Sequence, residues 1–487
     1  MHRSEGDLIP IPDRSCWKVA RADRAAVIVD ADDYFRYARA AMCEARRRIM
    51  LIGWDFDARI HLVRPEEGEE APTAVGEFVL WLVDRNPDLE VYLLRWDFGA
   101  VKALFRGTSV FTLAKWMSHP RIHVRLDSMH PPGASHHQKI VVIDDCFAFC
   151  GGIDMTGDRW DTRAHRDADP GRKRPDGSPY KPWHDATTAL QGEAAACLGE
   201  HGRMRWRNAG GDELAPVGAA GAIWPDALVP QFEDVAVAIA RTAPEMSGRS
   251  AIREIEQLYL DEIASARRWI YAESQYFASR KIAIAMAKRL EESDGPEIMI
   301  VNPVSADGWL EQVAMDTARA RLVQALRQRD RHGRLQIYHP FTSAGEPIYV
   351  HAKILIVDDR IVRVGSSNMN NRSMRLDTEC DVAIDAALPG NGAIGDRIVS
   401  IRNSLIGEHL DIDPMVVAER LRETGSLIDT IETLRGSGKS LRPYIVPDLA
   451  DVEKWLADNE VLDPEGPEEM FEPLTRRGLL RSLKRRR

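Results

Sequence analysis

The chain of 487 residues contains no run approaching the roughly 18 consecutive apolar residues of a membrane-spanning helix. Its opening, MHRSEGDLIPIPDRSC, has acidic residues and proline where a secretory leader needs an apolar stretch. Cysteine is sparse: the six at 16, 43, 146, 150, 197 and 380 suggest no disulfide framework, so a reducing compartment is expected. CxxC and HExxH pairings are missing. Cys146, Ala148 and Cys150, although close to His136 and His137, alternate along one strand face and read as small core residues, so no metal ligand and no cofactor is expected. Basic charge is in deficit, 65 Lys and Arg against 75 Asp and Glu for a net −10, which weighs against a nucleic-acid partner. Hydrophobic residues at 44% and charged residues at 29% exclude disorder throughout and collagen-like repeats. These features predict a soluble, cytoplasmic globular protein.

The charge is unevenly spread. The last twelve residues, RRGLLRSLKRRR from Arg476, hold seven basic side chains and no acidic one, leaving about −17 on the rest. Leu479, Leu480 and Leu483 at helical spacing would allow a basic amphipathic segment on anionic lipid; the plainer reading is a solvated terminus.

An internal repeat organises what remains. HHQKIVVIDDCFAFCGGIDM from His136 aligns without a gap to VHAKILIVDDRIVRVGSSNM from Val350, a shift of 214. The alignment matches His137 to His351, Lys139 to Lys353, Asp144 to Asp358 and Asp154 to Asn368. Upstream, ARRRIMLIGWDF from Ala45 matches ARRWIYAESQYF from Ala266 at a shift of 221. In each half a helical pattern runs into an apolar strand, followed by another helix, further strands, and a hairpin around an Asp-Asp turn. The expected fold class is α/β: two fused, pseudo-twofold-related α/β/α sandwich domains with mixed β-sheets. The expected boundaries are 1–215 and 245–410, with a connector at 216–244 and a helical C-terminal extension over 411–487. Thr162 to Pro182, rich in Pro, Gly and charge, has no counterpart in the second half and reads as a long functional loop.

Each half contributes His-x-Lys followed by four apolar residues and Asp. Strand alternation puts His and Lys on one face. A lone pair of this kind is usually structural; two at matched positions in duplicated halves indicate displacement at phosphorus. One imidazole attacks while the other protonates the leaving oxygen, and the residues alone do not say which does which. Lys139 and Lys353 would neutralise the nonbridging oxygens, with Asn368 and the Gly-Ser backbone at Ser366 adding donors. Asp185 and Glu379, each just before a short apolar strand, would hold the imidazoles from behind.

HHQKIVVIDD with GGIDMTGDRWD, and HAKILIVDD with GSSNMNNRSM and Glu379, resemble the motifs of the phospholipase D superfamily, whose signature is a duplicated HxK(x)4D, and of its phospholipid-hydrolysing branch. KPWHDATTALQG and AESQYF are similar to further motifs of that branch, and the resemblance spans most of 30–410. It implies one active site between two fused domains, a covalent phosphohistidine without a metal requirement, and conversion of phosphatidylcholine-like lipids to phosphatidic acid or a phosphatidyl transfer product. It favours His137 as nucleophile, and it carries Gln275, Trp183, Ser366 and Asp154 over as substrate-side positions. Asp144 and Asp358 complete the motifs and are expected to brace their own hairpins.

The sequence departs from the family at Val350 and Ala352, where Tyr and Ser are common. It departs also at Asp154, whose carboxylate would repel phosphate unless turned away. The short stretch before the first helix leaves no room for the lipid-binding modules of larger relatives, so docking on a phospholipid surface is expected from the tail or from aromatics around Trp54, Trp96, Trp160, Trp183 and Phe277. Since both halves lie in one chain, no obligate protein partner is expected and a monomer suffices. The alternatives are a cardiolipin synthase-type phosphatidyltransferase, a phosphodiesterase on a non-lipid substrate, and a silent lipid-binding scaffold.

Overall fold

The computed structural model describes residues 9–64, 70–97, 109–218, 221–246, 248–305 and 309–446. Short β-branched runs set the architecture. In IVVI, Ile140 and Val142 join one apolar cluster while Val141 and Ile143 join another on the opposite face. A strand apolar on both faces requires helices on both sides of its sheet.

The first half comprises β1 (Lys18–Val29), α1 (Ala31–Cys43), β2 (Arg48–Gly53), α2 (Val75–Arg85), β3 (Glu90–Trp96), α3 (Ser109–Ser118), β4 (Ile122–Asp127), β5 (Ile140–Ile143), β6 (Phe147–Gly151), β7 (Trp183–His184), β8 (Ala186–Gln191) and α4 (Glu193–Asn208). The second begins with β9 (Phe232–Ala243), β10 (Ile252–Arg253), α5 (Glu254–Ser265), β11 (Trp269–Glu273), α6 (Arg280–Leu290), β12 (Glu297–Val301), α7 (Trp309–Arg329) and β13 (Leu335–Phe341). It continues with β14 (Tyr349–Val350), β15 (Ile354–Val357), β16 (Ile361–Gly365), α8 (Asn371–Arg375), β17 (Glu379–Asp385), α9 (Gly395–Leu410), α10 (Pro414–Thr424), α11 (Leu427–Leu434) and β18 (Ser440–Pro443).

The sheet order is duplicated. From the centre outwards one half runs β1-β8-β6-β5-β2-β3-β4 and the other β9-β17-β16-β15-β11-β12-β13, with β18 added at the far edge. Parallel pairs (β2 with β3, β11 with β12) and antiparallel pairs (β5 with β6, β15 with β16) recur in both, so the architecture is mixed α/β. The halves are joined edge to edge, because β1 pairs antiparallel with β9 from Lys18↔Ile239 to Ala25↔Phe232. One apolar cluster, containing residues of α4, α9, α10 and α11, runs through this junction.

Two expectations are corrected. The span 216–244 is not simply a connector, since Phe232–Ala243 is one of the two strands on which the halves meet. The extension after 410 is not wholly helical, since β18 pairs with β13 as an edge strand. The basic segment from Arg476 lies outside the described residues.

Candidate active site

Each His-x-Lys segment is pinned by the opposite half. The His137 N–H donates to the Thr378 carbonyl at 3.0 Å, and the Thr378 N–H to the Ser135 carbonyl at 2.9 Å. Correspondingly, β14 pairs in parallel with β7, and the His351 N–H donates to the His184 carbonyl at 2.7 Å. The residue after each anchor is a carboxylate, so each anchor delivers an acid behind the histidine of the other half. Glu379 receives Nδ1 of His137 at 3.0 and 3.1 Å, and Asp185 receives Nδ1 of His351 at 2.6 Å.

These bonds fix the tautomers. Nδ1 of His137 also lies 3.0 Å from the Ser366 carbonyl, which can only accept, so Nδ1 carries the proton and Nε2 keeps its lone pair. The two imidazole centroids are 6.5 Å apart. The His137 side chain is 16% exposed and that of His351 7%, so both rings are largely withdrawn from solvent. Each lysine turns back along its own strand: Nζ of Lys139 donates to the His137 carbonyl at 2.7 Å, and Nζ of Lys353 to that of His351.

Burial dominates the protonation states. It holds both imidazoles well below the ordinary histidine range, with the neighbouring ammonium groups, Lys139 first for His137 and Lys353 first for His351, adding to the effect. It pushes Glu379 up to about 8, raises Asp185, and lowers Lys353 to about 7. Without substrate, the site thus disfavours charge on most of its members.

Around this centre Trp183 stacks on Tyr349 at 4.6 Å and lies 5.1 Å from the His351 ring. Gln275 donates to Tyr349 at 2.8 Å and accepts from the Asn368 side chain at 3.4 Å, while Asn368 Oδ1 is buried with no hydrogen-bond partner. Arg159, which the sequence reading did not single out, places its guanidinium 4.3 Å over the Trp183 ring and adds positive charge beside His351. Its only sequence signal was its place within GDRWD.

Several expected site residues lie elsewhere or act differently. Ser366, expected at phosphate, is fully buried and donates its hydroxyl to Glu379 at 2.5 Å. The Gly-Ser backbone offers no free donors, because the N–H groups of Ser366 and Ser367 both go to Asp381. Asp154 does not confront phosphate openly: it lies 3.2 Å from Lys139 and accepts the Trp54 N–H at 3.0 Å. Asp144 and Asp358 sit in turns beyond the far ends of β5 and β15. They accept backbone N–H groups at 46–48 and 267–269 respectively, so they brace the entrances to β2 and β11 as well as their own turns. Among the aromatics, Phe277 is a core residue at 1% exposed, Trp183 belongs to the site, Trp54 stacks on Trp96 at 5.7 Å, and Trp160 donates to Asp32. The loop 162–182 crosses to the second half, where Arg163 meets Glu408 and Asp167 receives the Ala344 N–H. Among the described residues no helix is long and apolar enough to cross a membrane.

Comparison with known proteins finds two family profiles along the chain. A family profile described as "Phospholipase D" matches residues 41–288, and one described as "Cardiolipin synthase, PLD-like domain" matches 259–391. Phospholipase D A of Dictyostelium discoideum is 26% identical over 80% of this chain and 36% of its own length. Phospholipase D alpha 1 of Carica papaya is 24% identical over 76% of this chain and 63% of its own. The chain therefore spans under two thirds of these relatives. The crystal structure of phosphatidylserine synthase from Haemophilus influenzae Rd KW20 superposes with a TM-score of 0.54 at 14% identity, over 86% of this chain and 97% of that one, a similarity of fold.

Proposed function

The chain belongs to the phospholipase D superfamily, and from that premise we propose that it is a phosphodiesterase cleaving glycerophospholipids such as phosphatidylcholine to phosphatidic acid and free headgroup through a phosphohistidine. The observation that carries this reading is the crossed pair of carboxylate-held imidazoles, each with a buried lysine beside it, where two halves of repeated strand order meet.

The lipid phosphate enters between the two rings. The Nε2 lone pair of His137 attacks phosphorus while the bond to the headgroup oxygen breaks, and Nε2–H of His351 supplies that oxygen with its proton. Lys139, Lys353 and the Asn368 amide stabilise the oxygens that gain charge. The incoming anion offsets the ammonium charges that help hold His351 low, so His351 gains its proton as substrate binds. His351 is also the one facing a short carboxylate bond, whereas Glu379, pushed up to about 8, keeps its own proton and leaves His137 neutral. In the second half-reaction water attacks phosphorus, His351 takes its proton, and the N–P bond breaks to release phosphatidic acid.

A second reading differs only in the acceptor. The profile match over 259–391 favours a phosphatidyltransferase in which an alcohol replaces water at the second step. Both make the same covalent intermediate. The protein is therefore incubated with phosphatidylcholine vesicles, EDTA and a few per cent ethanol. Phosphatidylethanol is the expected product, formed without an added divalent ion and lost in His137→Ala. Folded protein that yields neither phosphatidylethanol nor phosphatidic acid refutes the phosphatidylcholine assignment.

A further inference from the structure

A second buried cluster lies directly behind Asp185 and has no part in the reaction above. Asp30, at the β1–α1 junction, His165 of the long loop, His184 of β7 and Glu408 of α9 each direct one ligand-type atom to a common centre, all four within 4.8 Å of one another. Nε2 of His165 lies 3.1 Å from Glu408 Oε1 and 3.4 Å from Asp30 Oδ2. Nδ1 of His184 lies 2.9 Å from the same Glu408 oxygen and 3.3 Å from Asp30 Oδ1. Donor atoms about 2.0 Å from a tetrahedral ion lie about 3.3 Å from each other, which is the scale of these separations.

His165 Nε2 and Glu408 Oε1 are hydrogen-bonded to each other, but the other two residues leave atoms unpaired at the centre. Nδ1 of His184 and Oδ2 of Asp30 are buried and make no hydrogen bond of normal geometry, although both residues are at most 1% exposed. The far nitrogen of each imidazole is anchored by a different carboxylate, His165 Nδ1 by Asp161 at 3.0 Å and His184 Nε2 by Glu273 at 2.7 Å. A carboxylate behind each ring, orienting the inner nitrogen, is how histidine ligands are held to metals. Asp30 stands at the N-cap of α1 but does not cap it, and both Asp30 (φ 67°) and His165 (φ 44°) hold positive φ although neither is glycine. Such strain persists where a side chain must be aimed.

We propose that Asp30, His165, His184 and Glu408 bind one divalent transition-metal ion of the zinc class in a closed structural site. Two imidazoles and two carboxylates suit zinc better than calcium or magnesium, which prefer oxygen alone. Binding displaces the two protons that would otherwise sit between the imidazoles and the carboxylates, and the charge of the two acids balances the ion. With all four positions taken by protein, the ion activates no water. It ties the long loop and α9 to the strand that carries Asp185.

The test uses the full chain purified without chelator from zinc-supplemented cells. Elemental analysis is expected to find about one zinc per chain. X-ray absorption at the zinc edge is expected to show two imidazole nitrogens, two oxygens and no sulfur. His165→Gln and Glu408→Gln should each lose the metal, while Glu423→Gln on the exposed side of α10 keeps it. Stripping with a strong chelator should lower Tm, and zinc should restore it. Wild-type protein that neither carries nor takes up a divalent ion overturns the proposal in favour of a proton-held ion network. A sulfur-containing shell, or full occupancy in both Gln variants, overturns it in favour of another location. These readouts are independent of turnover, so failure here leaves the phosphohistidine mechanism untouched.

Discussion

Asp185→Asn and Glu379→Gln make the same acid-to-amide change behind the two histidines, yet the structure predicts unequal losses. Oδ1 of Asp185 accepts the N–H of Ala186 at 2.8 Å, so in the Asn variant the carbonyl oxygen stays there and the NH2 group turns to His351. Among the described residues Asp185 is the only hydrogen-bond acceptor at Nδ1 of His351, so that nitrogen must become an acceptor and its proton moves to Nε2. The variant loses a charge-assisted bond worth about 1.5–3 kcal/mol and inverts the tautomer, and the comparable change in a Ser-His-Asp triad costs about 10⁴ in kcat. A loss of about 10³ to 10⁴ follows. At His137 the Ser366 carbonyl still accepts from Nδ1, and the Ser366 and Ser373 hydroxyls that now donate to Glu379 can each donate or accept. The tautomer survives there, and the loss is about 1–2 kcal/mol, or about 5- to 30-fold. Choline release from a soluble short-chain phosphatidylcholine measures kcat for both variants, with circular dichroism to check folding. Equal losses, or a larger loss for Glu379→Gln, would refute the tautomer argument.

With a p-nitrophenol leaving group, which needs no proton, His351→Ala should recover much of its activity while His137→Ala should not; the opposite pattern in single-turnover assays reverses the two roles. Lys353, lowered to about 7 by burial, loses its ammonium as pH rises through that value, so kcat/KM should fall above about pH 7, and Lys353→Arg should move that limb upward in a pH–rate profile. Glu379 is raised from 4.5 to about 8, so between those values the native state holds a proton that the unfolded state has released. Its contribution to stability is complete below 4.5 and lost as pH rises through 8. The Tm of Glu379→Gln relative to wild type should therefore climb across this window in scanning calorimetry, and a flat difference contradicts the burial argument.

The two His-x-Lys pairs were legible because duplication repeats a short-range pattern, and so were the strands around them, whose apolar residues alternate or run continuously. What linear order did not carry is which half serves which histidine. That depends on bridges from Thr378 to Ser135 and from β7 to β14, between residues more than 160 positions apart. The central strands were obscured for a compositional reason. VARADRAAVIV and FEDVAVAIARTA are rich in alanine, a poor β-former in isolation, yet small side chains suit strands packed at the junction of two halves. Ser366 misled because a serine beside a phosphate motif resembles a donor to substrate, whereas a hydroxyl is equally suited to satisfying a buried carboxylate. Arg159 gave no periodic signal, as a single loop arginine gains meaning only from the ring it covers.

The crossing of carboxylates also bears on how the protein is made. His137 leaves the ribosome 242 residues before the glutamate that orients it. A nascent or truncated chain ending before residue 379 can build the whole first layer of sheet and helices and still hold a histidine with no acid behind it. Closing so long a contact places this step late in folding. A chain that stops short of Glu379 therefore lacks the carboxylate behind His137, and the site reaches its full arrangement only after that residue has been made and has closed on the first half.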